Sequence, residues 1–351
     1  MPEVMQFVPI LAVGFAAALG LTPLSRQIAM RFGVVDKPNQ RKIHLDSKPL
    51  MGGLAIYVAL ALAVVLFSPP RHLRELGAVL AGAAALALVG LLDDRYGLSA
   101  RLRLGVQGLA ALGLVAFGIR MNLTGLPLLD AGVTVVWVVT LTNAANFMDN
   151  MDGLTATFSA IAAFFCMVIA IAQGLSLVSS LAAALLGSAL GFLVYNFNPS
   201  STFMGDMGAL PLGFILAVLA LKLQFTQPFS VYWLAPVLVL ALPLFDITLV
   251  VVTRLSEGRS PAQAGKDHTS HRLMSLGLSQ RQTLFALAAA CALFGALGLL
   301  VSAAPPDAAL RLGVFGLLLL AALFVLMMWV RRRFQQPAPK PAGWPGTGPH
   351  R

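Results

Sequence analysis

The stretch LTATFSAIAAFFCMVIAIAQGLSLVSSLAAALLGSALGFLVYN, residues 154–196, decides the fold class of this chain. It lies within 53 consecutive residues, 153–205, that carry no charged side chain. A helix needs about 20 apolar residues to cross the hydrocarbon core of a bilayer. Divided at Gln173 and Gly174, the stretch therefore predicts two membrane-spanning helices in succession.

The composition of the whole chain agrees with this prediction. Of 351 residues, 58% are hydrophobic and 11% are charged, whereas soluble domains carry about 25% charged residues. These values exclude a soluble globular fold and a disordered polymer. The formal net charge is +10, but the basic residues lie in short loops between apolar runs, which argues against nucleic-acid binding. We predict an all-α polytopic membrane protein.

Apolar runs along the chain predict about eleven transmembrane helices when they are divided at charges and at Gly, Pro or Asn clusters. The candidate spans are 4–25, 50–68, 76–92, 104–119, 131–148, 154–173, 176–195, 208–223, 231–252, 284–303 and 312–330. We expect a single transmembrane domain, residues 1–333, followed by a disordered Pro/Gly-rich cytoplasmic tail, residues 334–351.

The distribution of basic residues predicts the orientation of the chain in the membrane, because Lys and Arg favour cytoplasmic loops. With the C-terminus in the cytoplasm, nineteen of the 24 Lys and Arg residues fall in cytoplasmic segments. Outer loops hold Arg71, Arg74, Arg120 and Arg311, and Lys222 can snorkel from the outer end of its span. We therefore predict an outer N-terminus and a cytoplasmic C-terminus.

Acidic residues gather at the predicted cytoplasmic ends of the spans. Asp93 and Asp94 end the third span, Asp206 opens the eighth, and Asp246 lies near the end of the ninth. A carboxylate at membrane depth is costly unless it is paired, hydrated or bound to a metal. We therefore expect one face of the molecule to carry the functional groups, in a cytoplasmic cleft.

The segment NAANFMDNMDGL places Asn143, Asn146, Asp149 and Asp152 at intervals of three residues. On a helix this spacing forms one polar stripe, and we expect the stripe to face a hydrated cleft rather than lipid. For Asp152 the alternative is a simpler role as the N-cap of the following span, a position that Asp fills well.

Two adjacent carboxylates, Asp93 and Asp94, stand at a helix end in LLDDRYGLS. Negative charge is unfavourable at a helix C-terminus, so the pair favours a nearby divalent cation. Magnesium is often held by one or two carboxylates together with substrate phosphates. The alternative is a hydrated helix end whose charge is balanced by Arg95.

The segment NFNPSSTFMGDMG forces a turn at Pro199 and Gly205 and places Asp206 at the start of the next span. Two interpretations remain open from these residues alone. In the first, Asp206 is the N-cap of that helix. In the second, the helix N-terminus presents free backbone N–H groups to a phosphate.

Two basic loops offer candidate substrate contacts. In DKPNQRKIHLDSKPLMGG, the side chains of Lys42, His44 and Lys48 come shortly before the second span, as expected for a site that binds anionic phosphates. The last large loop contains His268 and His271, three residues apart. No third nitrogen or sulfur ligand is in view, so zinc is disfavoured. Contact with a diphosphate, or help as a general acid, is favoured instead.

In chain order, DKPNQRK-x-H with P-x-x-GG, LLDDRYGLS, NAANFMDNMDGL, NFNPSSTFMGD and H-T-S-H-R-L resemble the bacterial polyprenyl-phosphate N-acetylhexosamine-1-phosphate transferases. The resemblance covers roughly residues 1–300. It implies that undecaprenyl phosphate attacks the β-phosphorus of a UDP-N-acetylhexosamine. The products are a polyprenyl-diphospho-sugar and UMP. The resemblance also implies a requirement for Mg²⁺, with Mn²⁺ as a substitute.

The resemblance further implies roles for individual residues. Asp206 matches a magnesium ligand, and Asp93 and Asp94 match a pair at the catalytic centre whose roles are debated. The predicted site comprises catalytic Asp93, Asp94, Asp149 and Asp152; substrate-binding Lys42, His44, Lys48, Asn143, Asn146, His268, His271 and Arg272; and metal ligands Asp206, Asp93 and Asp94. A phosphate monoester is largely ionised near pH 7, with a second pKa of about 6. We therefore favour direct displacement over a covalent aspartyl intermediate.

Two positions depart from the family pattern. Ser270 stands where the commonest motif has the middle of three histidines, and Asn150 stands where Gly is frequent. Both leave the aspartates and the outer histidines in place, so they leave the reaction intact and the donor sugar open. The remaining motifs fit the UDP-GlcNAc branches better than the UDP-MurNAc-pentapeptide branch. We therefore expect UDP-GlcNAc, in the first membrane step of a cell-wall or surface glycopolymer.

We expect a multi-pass protein of the bacterial plasma membrane, with the catalytic site of domain 1–333 facing the cytoplasm. The resemblance leaves a homodimer open. The alternative from another class is an ion-coupled transporter. Transporter sites usually lie near the bilayer midplane on broken helices, often within repeats. Here the acids gather at one face and no convincing internal repeat is found, which favours the enzyme.

Overall fold

The chain folds into a predominantly helical bundle. The computed structural model describes residues 2–36, 48–67, 72–223, 225, 229–263 and 265–334. In these residues the α-helices are α1 (Pro2–Met5), α2 (Val8–Phe32), α3 (Gly52–Phe67), α4 (Leu73–Tyr96), α5 (Ala100–Ala116), α6 (Pro127–Met148), α7 (Leu154–Ala172), α8 (Ser176–Asn196), α9 (Asp206–Lys222), α10 (Leu234–Val239), α11 (Ala241–Ser256), α12 (Thr269–Ser275), α13 (Gln280–Ala303) and α14 (Pro306–Phe334).

Two short strands and a 3₁₀ turn complete the described structure. The strands β1 (Val35–Asp36) and β2 (Lys48–Pro49) pair antiparallel, and a 3₁₀ turn, Val231–Trp233, precedes α10. The backbone N–H of Phe203 donates to the carbonyl of Pro49 at 2.8 Å, so β2 continues into contact with the segment before α9.

Each predicted span contains a helix, with α10 and α11 together filling the ninth. The boundary predicted at Gln173 and Gly174 is confirmed, because α7 ends just before it and α8 begins just after it. Gly174 has a φ of 69°, a conformation that favours glycine. Helix α14 includes Phe334, the first residue of the predicted tail, and residues 335–351 lie outside the described residues.

Seven helices in the described part of the chain are long and apolar enough to cross a membrane, namely α2, α4, α6, α7, α8, α13 and α14. The pair α10 and α11 makes an eighth if it counts as one span, with a bend of 78° between its halves. Helix α3 is apolar but has 16 residues. These helices are typical of a polytopic membrane protein. The eleven crossings and their orientation remain predictions.

Helix α9 lies in the interior of the bundle. Every residue from Met207 to Leu221 is buried, where α9 packs against α3, α4 and α6. A helix that is apolar all round suits such a position. Its last residue, Lys222, forms an ion pair with Glu75 of α4, and its first residue is Asp206. The fold therefore presents Asp206 at the end of a buried helix.

The residues between α4 and α5 reverse the chain tightly. Gly97 ends α4 with a φ of 67°, and its N–H donates to the carbonyl of Asp93 at 2.8 Å. Ser99 then caps α5, since its hydroxyl accepts a hydrogen bond from the N–H of Leu102. This reversal brings the first turn of α5, which contains Arg103, back beside the end of α4.

Candidate functional site

Asp94 joins the end of α4 to the start of α9. Its Oδ1 accepts a hydrogen bond from the N–H of Asp206 at 3.0 Å, and its Oδ2 accepts one from the N–H of Met207 at 3.1 Å. The next two N–H groups of α9 donate to the carbonyl of Gly205. All four donors of the first turn are therefore occupied, and the prediction of free N–H groups for a phosphate is wrong.

The interpretation of Asp206 as an N-cap is also wrong. Gly205 holds that position, with a φ of 69°, and Asp94 supplies the capping carboxylate from another helix. A Cβ on Gly205 would lie 2.5 Å from Asp94 Oδ2, and one on Gly90 would lie 2.3 Å from the carbonyl carbon of Asp206. Glycine at both positions therefore allows α4 to approach the start of α9 closely enough for this cap.

Arg103 links two of the predicted site carboxylates. Its Nη1 donates to Asp93 Oδ2 at 2.6 Å and to Asp206 Oδ2 at 3.1 Å. The other oxygen of Asp93 accepts from the N–H of Leu98 at 2.6 Å, and Asn146 Nδ2 donates to Asp206 Oδ1 at 2.6 Å. The structure thus brings together three helix ends, those of α4, α6 and α9, with the first turn of α5.

We call Asp93, Asp94, Asn146, Asp206 and Arg103 the carboxylate cluster. All of them except Arg103 are predicted from the sequence; Arg103 counts there only among the basic residues of a cytoplasmic loop. Its position ten residues after Asp93 could have indicated its role. A short reversal of the chain followed by one turn of α5 brings Arg103 back to the end of α4.

Asp149 ends α6 next to the carboxylate cluster. Burial, and after it the negative charge of Asp206, raise the pKa of its carboxyl group to about 7. Asn143 lies elsewhere, because its Nδ2 donates to Gln107 Oε1 of α5 at 2.5 Å and to the carbonyl of Val139 at 2.8 Å. The predicted polar stripe is therefore divided among different partners.

Asp152 stabilises the turn before α9. Its Oδ1 accepts from Ser200 Oγ at 2.9 Å, and its Oδ2 accepts from Asn198 Nδ2 at 3.0 Å. Lys48 Nζ donates to Ser200 Oγ at 3.1 Å, so this predicted substrate-binding residue joins the same group. The alternative role of Asp152 as an N-cap is wrong, since Gly153 precedes α7 without any side-chain cap.

The predicted histidines lie on and just before α12. Asp246 of α11 holds the first of them: its Oδ2 is 2.8 Å from His268 Nδ1, and its Oδ1 accepts from the N–H and the hydroxyl of Thr269, both at 2.7 Å. Burial lowers the pKa of His271 to about 4, and His268 and Lys266 contribute to the same shift. His271 is therefore neutral at pH 7.

Arg272 uses its guanidinium group for contacts between helices. It is fully buried, its Nη1 donates to the carbonyl of Met327 at 2.7 Å, and its Nη2 donates to Thr253 Oγ1 at 2.6 Å. Its Nε donates to the carbonyl of Asp267 at 3.0 Å. These contacts assign Arg272 to the packing of α12 against α11 and α14 rather than to the polar cleft.

A second charged group, which we call the arginine network, lies where the chain leaves α11 and approaches α12. It consists of Arg254, Arg259, Arg331, Glu257 and Asp267. Arg259 Nη2 lies 2.7 Å from Asp267 Oδ1 and 2.6 Å from Glu257 Oε2, and Arg254 Nε lies 3.0 Å from Asp267 Oδ2. Burial alone would raise the pKa of Asp267, but Arg259 and Arg254 outweigh it and lower that pKa to about 2.

Phe147, near the end of α6, connects the two charged groups. Its ring lies 5.8 Å from that of His268 in an edge-on arrangement, and Arg254 Cζ lies 5.6 Å from its centroid. Ser270 Oγ also donates to Asn150 Oδ1 at 2.5 Å. The turn 149–153 is therefore bonded to α12 through Asn150, and its first residue, Asp149, lies within electrostatic reach of Asp206.

Two predicted contacts, Lys42 and His44, lie outside the described residues. A magnesium site can still be tested on the residues that are described. Asp93 Oδ2 and Asp206 Oδ2 share the cationic Arg103 Nη1, so a positive charge already lies between two hard oxygen ligands of the kind that magnesium prefers.

In the described part of the chain, no three His, Cys, Asp or Glu side chains converge as a ligand set. The donor set therefore does not fit an all-protein metal cage. It does fit an ion held by one or two carboxylates with substrate phosphates, which is the usual arrangement for magnesium.

Comparison with known proteins shows clear relatives. Residues 76–224 match the model of a family described as "Glycosyl transferase family 4". The chain is 34% identical over 294 residues to the "Probable undecaprenyl-phosphate N-acetylglucosaminyl 1-phosphate transferase" of Bacillus subtilis (strain 168), covering 81% of this chain and 82% of that protein. The matched family region contains the whole carboxylate cluster.

Two further relatives have similar names. The "Decaprenyl-phosphate N-acetylglucosaminephosphotransferase" of Mycolicibacterium smegmatis is 31% identical over 312 residues, covering 78% of this chain and 77% of that protein. The "Undecaprenyl-phosphate alpha-N-acetylglucosaminyl 1-phosphate transferase" of Escherichia coli (strain K12) is 27% identical over 298 residues, covering 79% and 78%.

Proposed function

The chain belongs to glycosyl transferase family 4, and on that premise we propose that it is a phosphotransferase of a bacterial membrane. It transfers N-acetylglucosamine 1-phosphate from UDP-GlcNAc to a polyprenyl phosphate. The acceptor that we propose is undecaprenyl phosphate. The relatives named above are called transferases of N-acetylglucosamine phosphate with a polyprenyl phosphate. The donor nucleotide and the cytoplasmic orientation of the site are part of the proposal.

The observation that carries the proposal is the convergence of the carboxylate cluster at the start of α9. Asp93 and Asp206 share Arg103, and Asn146 contacts Asp206. Three carboxylates with one arginine leave an excess of negative charge beside a cationic donor. Such a site suits two phosphate substrates only if further positive charge joins them, since phosphates repel one another and repel carboxylates.

The reaction needs little covalent chemistry from the protein. A phosphate oxygen of the acceptor forms a bond to the β-phosphorus of UDP-GlcNAc, the bond from that phosphorus to the bridging oxygen breaks, and UMP leaves with the electron pair. The acceptor phosphate is largely ionised near pH 7, with a second pKa of about 6, so no strong base is needed. Catalysis then rests on position and electrostatics.

Mg²⁺, or Mn²⁺ in its place, fits the residues Asp206 and Asp93, whose facing oxygens already share a cationic partner. When bound there, the ion would neutralise phosphate charge and polarise the P–O bonds. Asp94 accepts backbone N–H groups with both of its oxygens. We therefore assign it to holding the start of α9, and with it Asp206, in place.

The donor contacts are assigned to the opposite side of the cleft. Asp149 is the first residue of the turn 149–153, which is near Asp206 at that end and bonds to α12 through Asn150. Asp246 fixes one nitrogen of His268, and the low pKa of His271 keeps that ring uncharged at pH 7. A neutral imidazole can both donate and accept a hydrogen bond. The ring of His271 therefore suits the polar groups of a nucleotide sugar, and the ring of His268 lies beside it, 6.1 Å away between centroids.

An end-point assay tests the proposal. Purified protein in detergent receives polyprenyl phosphate with UDP-GlcNAc, UDP-GalNAc or UDP-MurNAc-pentapeptide, with magnesium, with manganese or with a chelator, and UMP release is measured. We expect UMP from UDP-GlcNAc, and its loss with the chelator. Release from another donor alone would correct the sugar. Folded protein that is silent with every donor would support the ion-coupled transporter instead.

A further inference from the structure

Asn150 and Ser270 join the two segments to which the donor contacts are assigned. Asn150 lies in the turn between Asp149 and Asp152, and Ser270 lies between His268 and His271 on α12. Ser270 Oγ donates to Asn150 Oδ1 at 2.5 Å. In the described part of the chain, this is the one side-chain hydrogen bond that links α12 to that turn.

The geometry of this bond is constrained on both sides. Asn150 Nδ2 donates to the carbonyl of Phe147 at 2.6 Å, near the end of α6, where helix carbonyls need donors. With the nitrogen in use, the amide oxygen is left to accept from Ser270. Glycine at position 150 could make neither contact.

Ser270 is constrained by its surroundings. The residue is 1% exposed, so a larger side chain would have to displace its neighbours. Helix α12 is also bonded to two other helices. Asp246 of α11 contacts His268, and Arg272 donates to the carbonyl of Met327 in α14. The helix is therefore attached to α11 and α14, and the turn 149–153 is attached to it through Ser270.

We propose that Asn150 and Ser270 are a matched pair of positioning residues that sets the spacing between the turn 149–153 and α12, so that one nucleotide-sugar donor contacts both. The inference rests on the proposed function. The two positions are also those at which the sequence departs from the family pattern. The pair acts through its neighbours and does not touch the reacting phosphorus.

A double-mutant cycle tests the pair. The variants are Asn150→Gly, Ser270→Ala and the double substitution. The matched control is Ser275→Ala, which removes another hydroxyl of α12, one that bonds to its own helix at the carbonyl of Arg272. A hydrogen bond of ordinary strength corresponds to roughly a three- to tenfold change in an equilibrium.

We expect each single variant to raise the KM for UDP-GlcNAc about three- to tenfold, with kcat and the KM for polyprenyl phosphate changed by less than about twofold. The double variant should be no worse than Asn150→Gly, because that single variant already lacks the bond that Ser270→Ala removes, together with the contact to the carbonyl of Phe147. Ser275→Ala should match the wild type.

Each other result is decisive. Effects that multiply in the double variant, or singles that behave like Ser275→Ala, would overturn the pairing while wild-type UMP release leaves the proposed function standing. A fall in kcat with an unchanged donor KM would overturn the positioning role. A wild type that releases no UMP rejects the proposed function itself. If one single variant fails to fold, as judged by its melting temperature, the other removes the same bond from the opposite side and carries the test.

Discussion

The carboxylate cluster and the arginine network lie in the same molecule, both at helix ends, and differ in two respects. In the cluster, three carboxylates face one arginine. The side chains of Arg103 and Asp206 are 29% and 24% exposed. In the network, three arginines face two carboxylates, and the side chains of Arg259 and Asp267 are each 1% exposed.

This difference indicates that the carboxylate cluster serves substrate binding, whereas the arginine network stabilises the fold. A buried ion pair lasts only where its hydrogen bonds are satisfied, and Asp267 accepts from both Arg254 and Arg259. In the cluster the carboxyl groups outnumber the arginine, and Asp206 is within reach of solvent, so that a cation and phosphate substrates can enter. We therefore expect changes in the cluster to affect activity first and changes in the network to affect stability first.

The largest expected effect on activity is that of Asp206→Asn. It removes the charge that we assign to the metal, and loss of an electrostatic contact of this kind costs about a hundredfold or more in kcat. UMP release by the purified variant measures it, with Asp307→Asn, an exposed change at the start of α14, as the control. A variant with near-normal activity would remove Asp206 from the metal site.

The second prediction concerns Asp267→Asn in the arginine network. Removing one partner of a buried ion pair costs about 3–5 kcal/mol, because Arg254 and Arg259 are left without their shared acceptor. We expect a clear fall in the melting temperature in detergent. Glu257→Gln, whose side chain is 23% exposed, should fall less. If Asp267→Asn has normal stability but loses activity, the arginine network belongs to the catalytic site. The proposed difference between the network and the carboxylate cluster would then be wrong.

Arg103→Ala should have an intermediate effect on activity. A hydrogen bond to a charged group is worth about 1.5–3 kcal/mol, so we expect kcat/KM to fall about ten- to a hundredfold, with partial recovery in Arg103→Lys. Arg101→Ala is the matched control, because Arg101 lies in the same turn of α5 and is exposed. Equal effects of the two alanine variants would show that the local positive charge matters and the bridging contact does not.

The smallest expected effect is a pH dependence of stability at His271. Burial lowers the pKa of this ring from 6.5 to about 4. Between these values the unfolded chain binds a proton that the folded chain does not, so stability falls as pH falls through this window. Between pH 7 and pH 5 we expect the wild type to lose about 1–2 kcal/mol more than His271→Gln.

Melting temperatures of both proteins at the two pH values measure the His271 effect. Equal losses in the wild type and the variant would mean that the folded protein binds the same proton at pH 5 as the unfolded chain. In that case burial would not lower the pKa of His271.

The sequence by itself determined the helical membrane class, the break at Gln173 and Gly174, and the family. Each of these depends on information that is local in the chain: apolar length, glycine and charge positions, and the order of short motifs. The sequence also identified Asp93, Asp94, Asn146 and Asp206 as candidates, because polar residues stand out in an apolar chain.

Only the tertiary structure decided which partner each polar group has. Asp94 caps α9 from a different helix, Arg103 bridges two carboxylates that are 113 residues apart in sequence, and Asp152 holds the turn at Ser200 rather than capping α7. Arg272 looked like a substrate contact and is instead enclosed among helices. The physical reason is that a hydrogen bond needs a partner within about 3 Å, and that partner is set by how the helices pack, which no spacing along the chain encodes.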